Sequence, residues 1–147
     1  MSKNDNKYEC LKLGNQLCFP LYAAARDIVN RYKPALEELD LTYTQYITML
    51  VMWEHECISV RDMGKLLCLD SGTLTPLLKK LEQKGLVERK RDTEDERLLN
   101  VTLTEAGKAM KEKAVEVPQK IACTLNISKE EAMTLYNILN KLLGKTD

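Results

Sequence analysis

The amino-acid sequence predicts a mainly helical fold with one small β-ribbon, a fold of the α+β class. Apolar residues recur at helical spacing in several stretches, whereas residues 86–103 alternate apolar and polar side chains on both sides of a charged turn. The chain has 147 residues, of which 44% are hydrophobic and 30% charged, so it can bury a core without disulfides or a metal. A single domain over residues 1–147 is therefore expected.

Two helices are expected in the first third of the chain. Residues 9–32 carry apolar side chains at helical spacing, and Pro34 with its restricted predecessor should end this first helix. Thr42 and Gln45 have the spacing of a capping box. Because the apolar residues 46–53 follow directly, the second helix is expected to be buried.

Two shorter helices should follow, separated by a break at residues 68–70. Ser59 and Asp62 repeat the capping pattern weakly before a helix over residues 60–67. The next helix is expected over residues 71–84, with Asp70 at its N-cap and a glycine directly after it. Two short helices joined by a tight turn are typical of a helix-turn-helix.

The next elements predict a winged helix-turn-helix. Residues 86–91 and 98–103 should form a two-stranded ribbon, and the charged residues 92–97 should form its tip. A helix-turn-helix followed by such a ribbon places its second helix in the major groove of DNA and its wing beside it. Residues 59–104 are therefore predicted to be the DNA-reading part.

Two further helices complete the predicted order. Thr104 should cap a fifth helix, and Pro118 should end or bend it. Ser128 and Glu131 form a second capping box, which opens a last helix that Gly144 ends.

The net charge is zero, so only the local distribution of charge can point to a nucleic acid. Between Lys79 and Arg91 six residues are basic and two are acidic. Hydroxyl side chains at the start of the second short helix can approach bases, and basic ones after them can contact phosphates. The candidate DNA-binding residues are Asp70, Ser71, Thr73, Thr75, Lys79, Lys80, Arg89, Arg91, Asp95 and Arg97. A solvated basic face accounts for the same charges.

Arg97 stands beside Asp95 in the predicted wing, so an acid can orient its guanidinium for a narrow minor groove. An ordinary surface ion pair is the alternative. The whole segment LDSGTLTPLLKKLEQKGLVERKRDTEDERLLNVTLTEAG, residues 69–107, resembles the multiple antibiotic resistance regulator (MarR) family, including its D-x-R wing motif. The resemblance implies a homodimer joined through its terminal helices, here residues 9–35 and 105–144, that binds double-stranded DNA with an inverted repeat.

The five cysteines do not have the spacing of a metal site. There is no CxxC pair, and His55 is the only histidine, so neither a metal nor another cofactor is expected. In a reducing compartment, scattered cysteines are usually small buried hydrophobes. Cys57 and Cys68 have apolar neighbours and are expected to be buried in this way.

A second segment, NQLCFPLYAAARDIVNRYKPALEELDLTYTQY or residues 15–46, resembles the organic hydroperoxide resistance branch of the same family. The resemblance implies that Cys18 is the peroxide-sensing thiol. It also implies that Tyr22, Tyr32 and Tyr43 surround this thiol, the last two from the partner subunit. The signal is then an organic hydroperoxide, and the protein is a repressor rather than an enzyme.

The chemistry agrees with this assignment. The thiolate is the form that attacks a peroxide, and hydrogen bonds from phenols stabilise it. Tyr22 lies four residues after Cys18, on the same helix face. Pro20 either kinks the first helix or places Cys18 near a helix start, where the thiolate is favoured. Leu17, Phe19, Leu21 and Met49 are candidates for an apolar pocket that suits an alkyl or lipid hydroperoxide.

Some members of the branch use a second, resolving cysteine in the C-terminal region, which points to Cys123 here. Cys10 is the competing partner, since it is near Cys18 in sequence. A small thiol that traps the oxidised cysteine is the alternative to both.

Other functions fit parts of the sequence. A repressor released by a small phenolic or aromatic ligand would be insensitive to peroxide, a thiol peroxidase would turn over with a reductant, and a winged helix for protein contacts would not bind DNA. Residues 1–7 are polar, and no stretch of about 18 apolar residues occurs. A cytoplasmic protein without membrane contact is therefore expected.

Overall fold

The computed structural model describes residues 7–145, which form seven α-helices and one three-stranded sheet. The polar residues 1–6, used above to predict location, lie outside this range. In chain order the elements are α1 Cys18–Glu37, α2 Tyr43–His55, β1 Cys57–Ser59, α3 Val60–Leu67, α4 Ser71–Gln83, β2 Val87–Arg91, β3 Leu99–Leu103, α5 Glu105–Ala114, α6 Val117–Ala122 and α7 Lys129–Leu142.

The first helix begins later and ends later than the sequence predicts. Two short 3₁₀ turns, Glu9–Leu11 and Leu13–Asn15, precede α1. Pro20 is the third residue of α1, where its missing N–H would have no partner within the helix. Pro34 does not end α1, and the expectation that it would was wrong. The helix continues because Ala35 and Leu36, which follow Pro34, are buried in the core.

The predicted caps are confirmed. Thr42 and Gln45 form the reciprocal capping box of α2, with N–H to oxygen distances of 3.0 and 3.3 Å, and Ser128 and Glu131 form that of α7. Each of these pairs satisfies two backbone donors that the first turn of a helix leaves open. The remaining predicted N-caps each accept the N–H three residues on; they are Ser59, Asp70 and Thr104.

The core lies around α2. Met49 and Met52 have no exposed surface, and leucines of α4 and Val101 of β3 are buried with them. The indole N–H of Trp53 donates to the Gly107 carbonyl at 2.9 Å. This contact joins α2 to α5. Gly107 has to be a glycine, since a Cβ there would collide with the backbone oxygen of Leu86.

The sheet has the antiparallel order β1-β3-β2, with Ile58 opposite Val101 and Arg89 opposite Val101 on its other side. The sequence predicts β2 and β3 to within a residue but misses β1, which is three residues long and too short to show an alternating pattern. The expected burial of Cys57 and Cys68 is wrong, because both are exposed. Their apolar neighbours Ile58, Leu67 and Leu69 are themselves only half-buried, and both cysteines lie at the ends of elements.

The chain divides into two compact units, up to Val117 and from Pro118 onward. Pro118 neither ends nor bends α5, which already stops at Ala114; it is the second residue of α6, a position where a proline costs no helical hydrogen bond. Within residues 7–145, no helix is long and apolar enough to pass through a bilayer.

Candidate DNA-reading surface and thiol site

The first turn of α4 is held by the Asp70 carboxylate, which accepts the backbone N–H of Thr73 at 2.8 Å. Leucines form the buried face of α4. The exposed face carries the predicted DNA-contacting side chains Ser71, Thr73, Thr75, Lys79 and Lys80. The Thr75 hydroxyl donates to the Ser71 carbonyl at 2.8 Å, so towards a base it remains an acceptor. The structure thus brings these five residues together on one accessible surface.

Arg89 joins the wing to α4. Its guanidinium donates from two nitrogens to one carboxylate oxygen of Glu82, at 2.9 and 3.1 Å, and its backbone N–H donates to the other oxygen at 3.0 Å. These bonds, the backbone one first, hold the pKa of Glu82 below its ordinary value. The sequence predicts Arg89 as a phosphate contact. The geometry gives it a further role, which is to fix β2 against the reading helix.

Lys84 ties the end of α4 to the turn before α2. Its ammonium group donates to the backbone oxygen of Asp40, lies 3.2 Å from the Asp40 carboxylate, and is 3.5 Å from the side-chain oxygen of Gln45. Asp40 has a positive φ of 53°, so this contact stabilises a turn of unfavourable backbone conformation. Sequence reasoning treats Lys84 only as part of the basic run.

The Asp92 carboxylate organises the wing tip, the loop between β2 and β3. It accepts the backbone N–H of Glu94 at 2.8 Å, that of Asp95 at 3.1 Å, and the side-chain amide of Asn100 at 2.8 Å. These hydrogen bonds, led by the one from Glu94, lower the pKa of Asp92. Asp92 is not among the predicted residues, although an aspartate that bonds the N–H two residues on is a common turn signal.

Arg97 lies on the exposed wing tip. Asp95 accepts its backbone N–H at 3.0 Å, so the acid fixes the main chain, and the expectation that it orients the guanidinium was wrong. Within residues 7–145 the Arg97 guanidinium forms no hydrogen bond or ion pair. Arg91, in contrast, donates to the carbonyl oxygen of Glu96 at 2.8 Å. The wing therefore presents two arginines without an ion pair within residues 7–145, and Arg97 is the one whose guanidinium also lacks a hydrogen bond.

Cys18 is the first residue of α1 and is exposed. Leu17 before it has a helical conformation and offers no side-chain cap, so the first backbone N–H groups of α1 have no helical partner. Such a helix start favours a negative charge. The sequence analysis predicts that Pro20 either kinks the first helix or places Cys18 near a helix start, and the structure shows Cys18 at the helix start.

Tyr22 follows Cys18 by one turn on α1 and is 58% exposed. Its hydroxyl accepts a long hydrogen bond of 3.4 Å from Arg26, whose guanidinium also lies 5.5 Å from the ring centroid. Leu17, Phe19 and Leu21 beside the thiol are exposed. Met49 is buried in the core, so of the four apolar residues predicted to line a pocket, the three on the N-terminal side remain available.

The other two predicted tyrosines lie together, away from the thiol of their own chain. The rings of Tyr32 and Tyr43 are 4.9 Å apart between centroids. Cys18 and Tyr32 are fourteen positions apart on the same helix, which separates them by about 21 Å at 1.5 Å per residue. These tyrosines therefore cannot support Cys18 of the same protomer.

A third tyrosine, Tyr46, belongs to this group and was missed by the sequence analysis. Its ring centroid lies 5.7 Å from that of Tyr32 and 6.4 Å from that of Tyr43. Burial raises the pKa of all three tyrosines, so all three phenols stay protonated and able to donate at neutral pH. The sequence does carry a signal for this contact, because Tyr43 and Tyr46 are three positions apart and so lie on the same face of a helix.

Cys123 is exposed and directly follows α6, where its N–H donates to the Gln119 carbonyl at 3.2 Å. Cys10 is exposed in the first 3₁₀ turn, and its thiol donates to the Lys7 carbonyl at 3.5 Å. Both candidate resolving cysteines are therefore free thiols that solvent can reach.

Comparisons with known proteins place the chain among transcription regulators. The family model described as transcriptional regulator SarA/Rot matches residues 30–114. The organic hydroperoxide resistance transcriptional regulator of Bacillus subtilis is 50% identical over 139 residues, which are 95% of each chain. The HTH-type transcriptional regulator SarZ of Staphylococcus aureus is 44% identical over 133 residues, 90% of each chain.

Solved structures extend the likeness to the fold. AbfR is a protein of Staphylococcus epidermidis. Its reduced form bound to DNA superposes with a TM-score of 0.78 at 36% identity, over 95% of this chain and 97% of the AbfR chain. The disulfide form of AbfR gives a TM-score of 0.65 at 35% identity, over 96% and 99%. A mutant MarR of E. coli complexed with operator DNA gives 0.79 at 29% identity, over 86% and 93%.

Proposed function

The chain belongs to the organic hydroperoxide resistance branch of the MarR family of winged helix-turn-helix transcription regulators, and on this basis we propose that it is a redox-sensing repressor, released from its operator when an organic hydroperoxide oxidises Cys18. The observation that carries the proposal is the position of Cys18, exposed at an uncapped helix start. The protein regulates transcription and is not an enzyme. Because it acts on DNA, we place it in the cytoplasm.

The repressor works as a homodimer. The α1 helix exposes large apolar side chains around Cys18, and α7 exposes a stripe of its own, Met133, Leu135, Tyr136, Ile138 and Leu142. Contiguous exposed apolar surface of this kind favours association. This supports the dimerisation role of residues 9–35 and 105–144. Two copies related by a twofold axis read an inverted repeat, with recognition helices about 34 Å apart, one turn of DNA.

The sensing site is built from two protomers. Cys18 and Tyr22 come from one α1 helix, and Tyr32 and Tyr43 come from the partner, because within one protomer Tyr32 is about 21 Å away along α1. The protonated phenols donate hydrogen bonds to the thiolate and to the peroxide. The apolar residues Phe19 and Leu21 favour an alkyl hydroperoxide over hydrogen peroxide.

The chemistry needs only the thiol and the peroxide. The Cys18 thiolate attacks one peroxide oxygen, an S–O bond forms, the O–O bond breaks, and the departing alkoxide takes a proton and leaves as an alcohol. The sulfenic acid then reacts with the Cys123 thiol of the other subunit and releases water. That second step is supported by the exposure of Cys123 and by the disulfide form known for AbfR.

Arg97→Ala is expected to weaken operator binding by roughly 10-fold or more, because an arginine in a narrow minor groove contributes both charge and shape recognition. The slope of log K against log salt should also fall by about one unit. Titrations of labelled operator at several salt concentrations measure both quantities. Arg97→Lys keeps the charge and should be intermediate. An Arg97→Ala protein that binds as tightly as wild type at physiological salt would rule out this role of the wing.

Asp92→Ala is expected to weaken operator binding severalfold, because the loop that presents Arg97 loses three hydrogen bonds. Glu94→Ala is the matched control. It removes the same charge from the same loop, and within residues 7–145 the Glu94 carboxylate forms no hydrogen bond or ion pair. Less repulsion from phosphates should leave its affinity equal or slightly higher. Equal effects of the two variants would mean that Asp92 acts only through its charge.

A further inference from the structure

We propose that Tyr46 is a positioning residue of the peroxide sensor, whose buried ring holds the rings of Tyr32 and Tyr43 in the orientation in which their hydroxyls meet the partner's thiol. The proposal deepens the function proposed above and depends on it. It gives a role to a residue outside the Cys18, Tyr22, Tyr32 and Tyr43 set.

The three rings touch one another. The centroid distances of 4.9, 5.7 and 6.4 Å all lie in the range of direct aromatic contact, and the interplanar angles of 60°, 42° and 47° are tilted arrangements. Of the three tyrosines only Tyr46 is buried, with 3% of its surface exposed, whereas Tyr32 and Tyr43 are half-buried. The buried ring of Tyr46 therefore packs beneath the two outer rings, those of Tyr32 and Tyr43, and supports them.

The outer rings need such a support. Tyr43 is the first residue of α2, and Tyr32 stands near the end of α1, so the two side chains come from different helices. A half-exposed tyrosine has two rotatable side-chain bonds and several staggered orientations. With an aliphatic side chain in place of Tyr46, a cavity opens beneath both rings and the hydroxyls occupy a range of positions.

The backbone of Tyr46 is itself held. Its N–H donates to the Thr42 carbonyl at 2.9 Å, within the capping box that Thr42 forms with Gln45. The side-chain oxygen of Gln45 is 3.5 Å from the Lys84 ammonium group. Tyr46 thus lies in the first turn of α2, and these contacts fix the conformation of that turn. Burial and the neighbouring phenols raise its pKa, so it stays neutral and adds no anion that would repel a thiolate.

The test compares three variants of α2. Tyr46→Leu removes the ring, Tyr46→Phe keeps it, and Trp53→Leu removes another buried aromatic ring of the same helix. For each full-length protein, the measurements are the rate of Cys18 thiol loss in cumene hydroperoxide, the pH profile of Cys18 alkylation, the operator affinity of the reduced protein, and Tm.

Tyr46→Leu is expected to slow Cys18 oxidation about 10-fold, the size expected when one hydrogen bond is weakened, and to move the alkylation profile to higher pH. Reduced protein should still bind the operator. Tyr46→Phe should oxidise within about twofold of wild type, since the contacts of its ring remain. Trp53→Leu should lower Tm at least as much as Tyr46→Leu and leave the oxidation rate and the pH profile unchanged, because a purely structural loss does not reach the thiol.

Three results would overturn the proposal: a wild-type oxidation rate in folded Tyr46→Leu, an equal slowing in Trp53→Leu, or a Tyr46→Phe protein as slow as Tyr46→Leu. The last would assign the effect to the hydroxyl instead of the ring. Failure of the proposed function has a different signature. In that case the wild-type protein itself stays on the operator in hydroperoxide, whatever the Tyr46 variants do.

Discussion

The Cys18→Ser protein is expected to bind its operator as wild type does and to stay bound when an organic hydroperoxide is added. Serine keeps nearly the volume of cysteine, and the position is exposed at the start of α1, so folding and dimerisation should be unaffected. The hydroxyl is not ionised at neutral pH and does not attack a peroxide. The expected difference is therefore a complete loss of the response.

The measurement is a gel shift with operator DNA, with and without cumene hydroperoxide. Wild type should lose affinity by at least 100-fold, which corresponds to about 2.7 kcal/mol and is enough to empty a site that is mostly occupied in the reduced state. Cys57→Ser and Cys68→Ser are matched controls, because both cysteines are also free and exposed, and both should respond like wild type. Release of the Cys18→Ser protein by peroxide would refute the assignment. An unresponsive wild type would favour control by a phenolic ligand.

The sequence predicts those parts of the fold that depend on local chemistry. The N-caps Thr42, Asp70 and Thr104 were found because a polar side chain next to an open backbone N–H acts within one helical turn. Gly85 is also a local signal, because its φ of 73° is needed where the chain leaves α4 and glycine adopts such an angle without strain. Such signals need no knowledge of the tertiary structure.

The predictions and the structure differ where contacts between distant parts of the chain determine the local conformation. The helix α1 passes Pro34 because burial of the following residues offsets a lost hydrogen bond, and β1 exists only because β3 lies beside it. The same holds for the site. Cys18 is predicted as the sensing residue from its motif, and that assignment stays a prediction. Glu82, Lys84 and Asp92 have their structural roles through partners that are distant in sequence or that a turn brings close. The burial of a cysteine could not be inferred from its apolar neighbours, because Cys57 is exposed beside the half-buried Ile58, and Cys68 is exposed between the half-buried Leu67 and Leu69.

Cys123 provides the second prediction with a large expected effect. After stoichiometric hydroperoxide, wild type should run as a disulfide-linked dimer on a non-reducing gel, and Cys123→Ser should not. The sulfenic acid at Cys18 is an electrophile, and the sulfur of the Cys123 thiol attacks its sulfur. The S–S bond forms, the S–O bond breaks, and the departing hydroxide takes the thiol proton and leaves as water. Because a disulfide needs Cα atoms within about 7 Å, its formation between protomers pulls the segment after α6 of one chain to the α1 start of the other. We expect this movement to change the spacing of the reading helices.

Cys10→Ser is the control, because Cys10 is also exposed and lies only eight positions from Cys18. The linked dimer should persist in this variant. It should disappear in Cys18→Ser, which cannot form the sulfenic acid. If Cys10 were the partner, the pattern of Cys10→Ser and Cys123→Ser would be reversed. If the wild-type band stayed monomeric after complete loss of the Cys18 thiol, the intersubunit disulfide would be excluded. The sulfenic acid would then be trapped by a small thiol, and the mass of the Cys18 peptide would increase by the mass of the added thiol.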